Sequence, residues 1–270
     1  MANSDPLFAG SIPRLYDSLM VPMLFEPYAS DMAKRVAAYR PGAVLETAAG
    51  SGAVTRALAP LLARDVRWVV TDLNLPMLDH AAARQGPDAR IEWQQADAVQ
   101  LPFADASFDA VYCQFGVMFF PSQLEGYREA CRVLKPGGHF VFNVWDRIEH
   151  NALADAVYAA TTHMFPDEPL QFFVRTPHGH HDLAHIRDEL QRAGFADVHS
   201  ETLEKVSHAA SALEAATALC QGTPLRNQIE ARGAGMLQRV TDKAAELIDH
   251  RHGPGPVSGK MQAHVIVATR

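Results

Sequence analysis

The 270-residue sequence is poor in cysteine, in net positive charge and in long apolar runs, and each shortage excludes a class of protein. Only three cysteines occur, Cys113, Cys131 and Cys220. They are odd in number, far apart and set among apolar neighbours, which is neither a disulfide framework nor a zinc-ligand spacing. A reducing compartment is expected, and the cytoplasm is the simplest one. Lys and Arg number 24 against 31 Asp and Glu, a formal net charge of −7. No basic run is present to neutralise a phosphate backbone, so no nucleic-acid partner is expected. No stretch of 18 apolar residues occurs, which argues against a membrane span. Met1 to Gly10 lacks a charged segment followed by an apolar one, so no secretory signal is read there.

The remaining sequence reads as an ordinary globular protein, 48% apolar and 20% charged, with strands and helices alternating. Apolar runs at Ala43 to Thr47, Arg67 to Asp72, Arg90 to Gln94, Phe108 to Phe115 and His139 to Val144 read as buried strands. Helical spacing covers Ala53 to Ala63, Pro76 to Arg84 and Gln123 to Leu134, the last stopped by the turn Lys135 to Gly138. Further on, Asn151 to Phe165, Leu183 to Ala193, Ala209 to Cys220 and Leu225 to Asp249 read as helices, with a break near Gly222 to Pro224. Asp197 to Val206 and Gln262 to Thr269 supply two more strands. The pattern predicts an α/β fold with a seven-stranded, mostly parallel sheet and helices on both faces. An N-terminal helical cap (1–40) would precede the core (41–147), and residues 148–270 would carry an insertion after the fifth strand, the last strands and substrate-shaping helices. No boundary marks a second independent domain, so 1–270 reads as one.

The chemistry begins at Glu46-Thr-Ala48-Ala-Gly50-Ser-Gly52, between a strand and a helix. A glycine-rich turn there lets a ligand approach the backbone closely. Alone it is a weak signal, shared with phosphate sites and plain tight turns. Asp72 sharpens it, 22 residues after Gly50 at the end of the second strand, where an acid accepts hydrogen bonds from ribose hydroxyls. A carboxylate at Glu46 would repel a pyrophosphate but suits the cationic amino-acid end of S-adenosylmethionine. Asp97 ends the third strand and can accept from an adenine amino group, with the Ala98 N–H as a donor to the ring.

At these residues the chain resembles the class I methyltransferases, in particular the large family with ubiquinone/menaquinone-type and other small-molecule enzymes. The resemblance rests on VLETAAGSG (44–52), TDLNLPML (71–78), QQADAVQLPFADASFDAVYCQFG (94–116) and REACRVLKPGGHFVF (128–142). It implies S-adenosyl-L-methionine as cofactor and S-adenosyl-L-homocysteine as product. It places Glu46 at the methionine part, with Ala48, Gly50 and Gly52 lining it by backbone. It puts Asp72 on the ribose, Leu73 and Met77 beside the adenine, Asp97 and Ala98 at its edge, and Gln114 near the methionine end and the methyl group. Ala48 stands where many members have glycine, which is tolerable if φ is negative there. On this reading Asp72→Ala costs cofactor binding and leaves the fold intact.

The acceptor side is less legible. The stripe Phe115, Met118, Phe119, Phe120 follows the fourth strand and is read equally as pocket wall or core. Tyr16 lies in a segment with Leu15, Leu19 and Leu24 at mixed helical spacing, read as a cap over the site or a plain packing helix. Phe165, Phe172 and Phe173 suggest apolar walls and a hydrophobic or aromatic small-molecule acceptor. His178, His180, His181 and His185 fall within eight residues. Only His181 and His185 have helical i, i+4 spacing, so no metal is expected. One of these histidines, His178 among them, is a candidate base on an acidic hydroxyl. Asp105 and Asp109 read as turn residues. Apolar stripes on the last helices fit a homodimer or burial in one chain equally well. A nicotinamide dehydrogenase would lack the acid before the glycines and carry a Tyr/Lys or His constellation, which is not found. A non-catalytic S-adenosylmethionine-binding protein stays open, because fold does not fix function.

Overall fold

In the computed structural model, residues 15–270 are described. They form a seven-stranded sheet with ten α-helices. In chain order a π-helix (Tyr16–Phe25) leads into α1 (Glu26–Ala38), β1 (Ala43–Glu46), α2 (Ala53–Leu58), β2 (Arg67–Asp72), α3 (Leu75–Gln85), β3 (Ile91–Gln95) and β4 (Phe108–Gln114). Then come α4 (Gln123–Val133), β5 (Leu134–Trp145), α5 (Ala152–Met164), α6 (Phe172–Arg175), α7 (Leu183–Arg192), β6 (Asp197–Ala209), α8 (Ala212–Gln221), α9 (Leu225–Glu230), α10 (Met236–His252) and β7 (Val257–Thr269).

The strand order is β3-β2-β1-β4-β5-β7-β6. The first five strands pair in parallel. β7 runs against its neighbours. Arg270 N donates to the Gly138 carbonyl while Asp146 N donates to that of Gln262, so numbers rise on one strand as they fall on the other. The same opposition links β6 to β7, through Ala196 N to Thr269 O and Ser207 Oγ to Gly259 O. The order reverses between β1 and β4, the crevice where ligands bind in open α/β sheets.

Alternation along the central strands builds two apolar layers. Val44, Trp68, Val70, Ala110, Tyr112 and Val141 join one cluster with Met32, Ala33 and Val36 of α1, Val54 and Leu58 of α2 and Leu78 of α3. The intervening Leu45, Val69, Val111, Phe140 and Phe142 are equally buried. Phe140 and Phe142 lie against Tyr127 of α4.

Several element boundaries differ from the sequence reading. α2 stops at Leu58, because Pro60 lacks an N–H and disfavours helix in the residue before it. The Lys135 to Gly138 turn lies inside β5 as a bulge: Leu134 faces Phe108 and the next paired residue, His139, faces Ala110. Gly137 takes φ +78° there. Asp109 lies on β4, and its carboxylate accepts from Gly42 N and Ala43 N and pairs with Lys135 at 2.7 Å. The helical stretch after Cys220 breaks a second time, at Gly233 and Gly235, both with positive φ.

The described chain divides into two compact units. One gathers residues 15–26, Trp145–Gly179 and Leu203–Ala263. In it α10 packs on α5 and α8, burying Val240, Ala244 and Ile248. The other gathers Pro27–Val144, His180–Thr202 and His264–Arg270 and holds the glycine-rich turn. Residues 1–14 of the expected cap lie outside the described residues. Among the described residues no helix is long and apolar enough to cross a membrane.

Candidate functional site

The glycine-rich turn joins β1 to α2, with Gly50 at φ +58° and Gly52 at φ +79°. A Cβ on Gly50 would meet nothing nearer than Met77 Cε at 3.8 Å, so this stretch of backbone is open to a ligand. Gly52 is closed in: its Cβ would lie 3.0 Å from that of Ala81 on α3. Gly50 is thus the close-approach residue, and Gly52 serves the packing of α2 on α3.

Glu46 lies beneath the turn, 1% exposed. Its Oε2 accepts from Thr55 Oγ1 at 2.5 Å and from the Tyr112 hydroxyl at 2.7 Å, and Trp68 Nε1 donates to that hydroxyl at 3.1 Å. Burial pushes the Glu46 carboxyl up to about 7, against the opposing pull of those two hydroxyls. Thr55, Tyr112 and Trp68 were not singled out in the sequence. Nothing in their spacing distinguishes them from core residues: strand register brings Trp68 and Tyr112 to Glu46, and the first turns of α2 bring Thr55.

Asp72 ends β2 and is 5% exposed. Its Oδ2 accepts from Gly50 N at 2.8 Å and its Oδ1 from Asn74 N at 2.7 Å. The carboxylate therefore fixes the glycine turn as well as the start of α3. Burial raises its pKa, with those amides pulling the other way. Asn74 Nδ2 also donates to Oδ1 at 3.4 Å, and a carboxylate has about four acceptor positions, so some acceptor capacity remains for a ligand hydroxyl. Leu73 is 50% exposed and Leu75 46%, leaving an apolar surface beside the acid, while Met77 is buried below it. Asp97 and Ala98 follow β3, both half-buried. Asp97 Oδ1 accepts from Val99 N, so this acid shapes its own turn.

The switch point holds two strained residues. Ala48 takes φ +51° and Phe115 φ +51°, left-handed values that cost a non-glycine residue about 1–2 kcal/mol each. The condition under which alanine is readily tolerated at 48, a negative φ, is therefore not met. Phe115, 5% exposed, is held by Asn143, whose Oδ1 and carbonyl both accept its N–H, and its ring meets Tyr28 edge-on at 5.3 Å. Gln114 precedes it at the end of β4, opposite Asn143. A Cβ on Gly116 would come within 2.6 Å of both Ala48 Cβ and Cys113 Sγ. Gly116→Ala should therefore destabilise by about 2–3 kcal/mol, as overpacking does. Ala48→Gly in the same chain should recover part of that loss in urea unfolding. A fully additive double mutant would show that Ala48 and Gly116 do not press on each other.

The remaining candidates are spread over both units. Phe119, half-buried, ends the 3₁₀ turn Val117–Phe119 in the unit that holds the glycine turn. Tyr16 and His178 belong to the other. Tyr16 stacks on Phe25 at 4.9 Å. His178 is 6% exposed, and its Nδ1 lies 2.8 Å from the Asp146 carbonyl oxygen. His181 precedes α7 and so does not share a helical face with His185; Asp182 between them caps that helix through Ala184 N and His185 N. His180 is bonded to the Tyr127 hydroxyl, and burial lowers it to about 4, so its ring is neutral. Among the described residues no group of three or more His, Cys, Asp or Glu could hold a metal. The three cysteines are buried and unbonded to one another, with Cys113 and Cys220 pushed up to about 12 by burial.

Residues 45–142, the stretch that carries this site, match the family model for a methyltransferase domain. Over that stretch the chain is similar to S-adenosylmethionine-dependent methyltransferases. The chain is 42% identical over 98 residues to a demethylmenaquinone methyltransferase of Clavibacter sepedonicus, covering 36% of this chain and 39% of that protein. It is 28% identical over 166 residues to the ubiquinone/menaquinone biosynthesis C-methyltransferase UbiE of Coxiella burnetii, covering 57% of this chain and 66% of the relative. The chain thus spans less than two thirds of the length of these relatives. In fold it is similar to the YcgJ protein of Bacillus subtilis, with a TM-score of 0.59 at 17% identity over 90% of this chain and 98% of that one.

Proposed function

We propose that the protein transfers the methyl group of S-adenosylmethionine to a small hydrophobic or aromatic acceptor by direct displacement. The observation that carries this is the cradle at the sheet's switch point: an open glycine at 50, the Asp72 carboxylate bonded to its amide, and exposed Leu73 beside them. These residues fit the cofactor. Asp72 has acceptor capacity left for a ribose hydroxyl, Leu73 and Met77 offer an apolar bed for adenine, and Asp97 with Ala98 N–H can read its edge. Ala48, Gly50 and Gly52 line the methionine part, Gln114 lies at its end, and Glu46 supplies negative charge from below. The cofactor brings an activated methyl group, so the chain needs to align the acceptor and exclude water. Phe115 and Phe119, in the unit that holds the glycine turn, are assigned to the acceptor. The relatives named for quinone pathways support an aromatic acceptor.

Isothermal titration with S-adenosylmethionine and with NAD tests this reading. Micromolar binding of the first and none of the second is the expected result. Binding of NAD alone, or of neither, would overturn it.

A further inference from the structure

The backbone of the glycine-rich turn is left-handed at every second residue, with φ +51° at Ala48, +58° at Gly50 and +79° at Gly52. This geometry favours glycine at all three places, yet the first of them carries a methyl group. Among the described residues, four that are not glycine take positive φ. Arg40 and Ala106 precede β1 and β4, at the amino ends of those strands. Ala48 and Phe115 follow the same two strands, at the carboxyl ends where open α/β sheets bind ligands. Strain of this kind persists where the surroundings enforce it, and it gathers at ligand sites.

Neighbouring groups show where the Ala48 methyl lies. A Cβ on Gly116 would stand 2.6 Å from that of Ala48, so the methyl sits against the bare backbone of the loop after β4. A Cβ on Gly50 would meet only Met77 Cε within 4 Å, so the Ala48 methyl does not reach the open side of the cradle. Both walls are pinned. On the β1 side, Thr47 N donates to the Tyr112 carbonyl at 3.0 Å and Ala49 N to that of Thr71 at 2.9 Å. On the β4 side, Phe115 N donates to Asn143 Oδ1 at 2.8 Å, and the Gly116 carbonyl accepts from Phe119 N at 2.9 Å. Cys113 Sγ closes the space at Gly116, 2.6 Å from where its Cβ would stand. The gap between the two loops is therefore rigid, and a single methyl group sets its width.

We propose that the Ala48 methyl, seated on Gly116, sizes the pocket for the group carried on the sulfonium, so that the site takes S-methyl and rejects a longer S-alkyl chain. The inference rests on the methyltransferase reading above, which assigns the neighbouring Gln114 to the end of the cofactor's methionine part, and it deepens that reading. Glycine at 48 would give the same turn without strain and with one methylene more room. In a rigid pocket one methylene decides about tenfold or more in affinity. Selection of the smaller group gives the strained alanine a role that contact between two loops does not.

The test is calorimetric titration of the full chain with S-adenosylmethionine, its S-ethyl homologue S-adenosylethionine, and S-adenosylhomocysteine. The wild type should prefer the methyl compound by at least about tenfold. Ala48→Gly removes one methylene, the increment between the two sulfonium ions, and should bring their affinities within about threefold of each other. Glycine accepts φ +51° without strain, so the variant keeps the fold. S-adenosylhomocysteine carries neither alkyl group and serves as the reference. A general loosening of the turn would weaken all three ligands alike and leave the ratio unmoved. A wild type that takes the methyl and ethyl compounds equally, or a variant that keeps the wild-type preference, overturns this inference alone. A wild type that binds neither S-adenosylmethionine nor S-adenosylhomocysteine overturns the methyltransferase reading together with it.

Discussion

Asp72→Ala is expected to abolish measurable S-adenosylmethionine binding and to lower folding stability by about 3 kcal/mol. Sequence alone suggested a loss of binding with the fold untouched. The structure adds the second effect, because the carboxylate accepts from Gly50 N at 2.8 Å and Asn74 N at 2.7 Å. Alanine leaves both amides without a partner under a nearly closed surface, and a buried donor left unpaired costs about 1–3 kcal/mol. Relief from burying a charge offsets part of this, since Asp72 is one of the acids whose pKa burial raises. Asp72→Asn separates the two roles. Its amide oxygen can keep one amide but turns an NH₂ toward the other, so stability should fall less than in the alanine variant. Binding should still weaken by at least about tenfold, some 1.4 kcal/mol. Urea unfolding beside calorimetric titration reads both quantities. An alanine variant as stable as the wild type would show that the turn holds itself without Asp72.

The sheet was legible because its strands carry unambiguous patterns. RWVVTD and FDAVYCQ are apolar runs of strand length between turn residues, and they became β2 and β4 almost residue for residue. Errors arose where tertiary geometry overrides local pattern. KPGG reads as a stop, yet pairing on either side draws it into β5 as a bulge. Residue type alone did not reveal that Ala48 and Phe115 take positive φ, because alanine and phenylalanine ordinarily avoid it. The Glu46 pocket was half legible. The acid stood out before the glycines, but its partners Thr55 and Tyr112 lie 9 and 66 residues away, the first brought in by α2 after the turn and the second by the register of β1 on β4.

That pocket also sets a stability cost for the proposed function. The Glu46 carboxyl is raised from 4.5 to about 7, first by burial and also by the neighbouring Asp72 charge. For an acid raised in this way, the folded state is favoured while the group is protonated. The contribution is fully present below about 4.5 and is lost as pH rises through about 7. Above that, holding the charge costs roughly 3 kcal/mol. Glu46→Gln removes the charge, and its amide oxygen can still accept from Thr55 and Tyr112. The variant should therefore be more stable than the wild type at pH 8, by up to about 3 kcal/mol, and should lose that advantage at pH 5. Urea unfolding at the two values checks it, and an equal difference at both would refute the linkage. The same variant should bind S-adenosylmethionine more weakly, because a cationic ligand favours the ionised pair Glu46 and Asp72. Binding by the wild type should accordingly release protons near pH 6.5 and tighten as pH rises through about 7. Titration in two buffers of different ionisation enthalpy measures that release. Proton-neutral binding would mean that Glu46 braces the turn through its hydroxyl partners and leaves the ligand's charge to other residues.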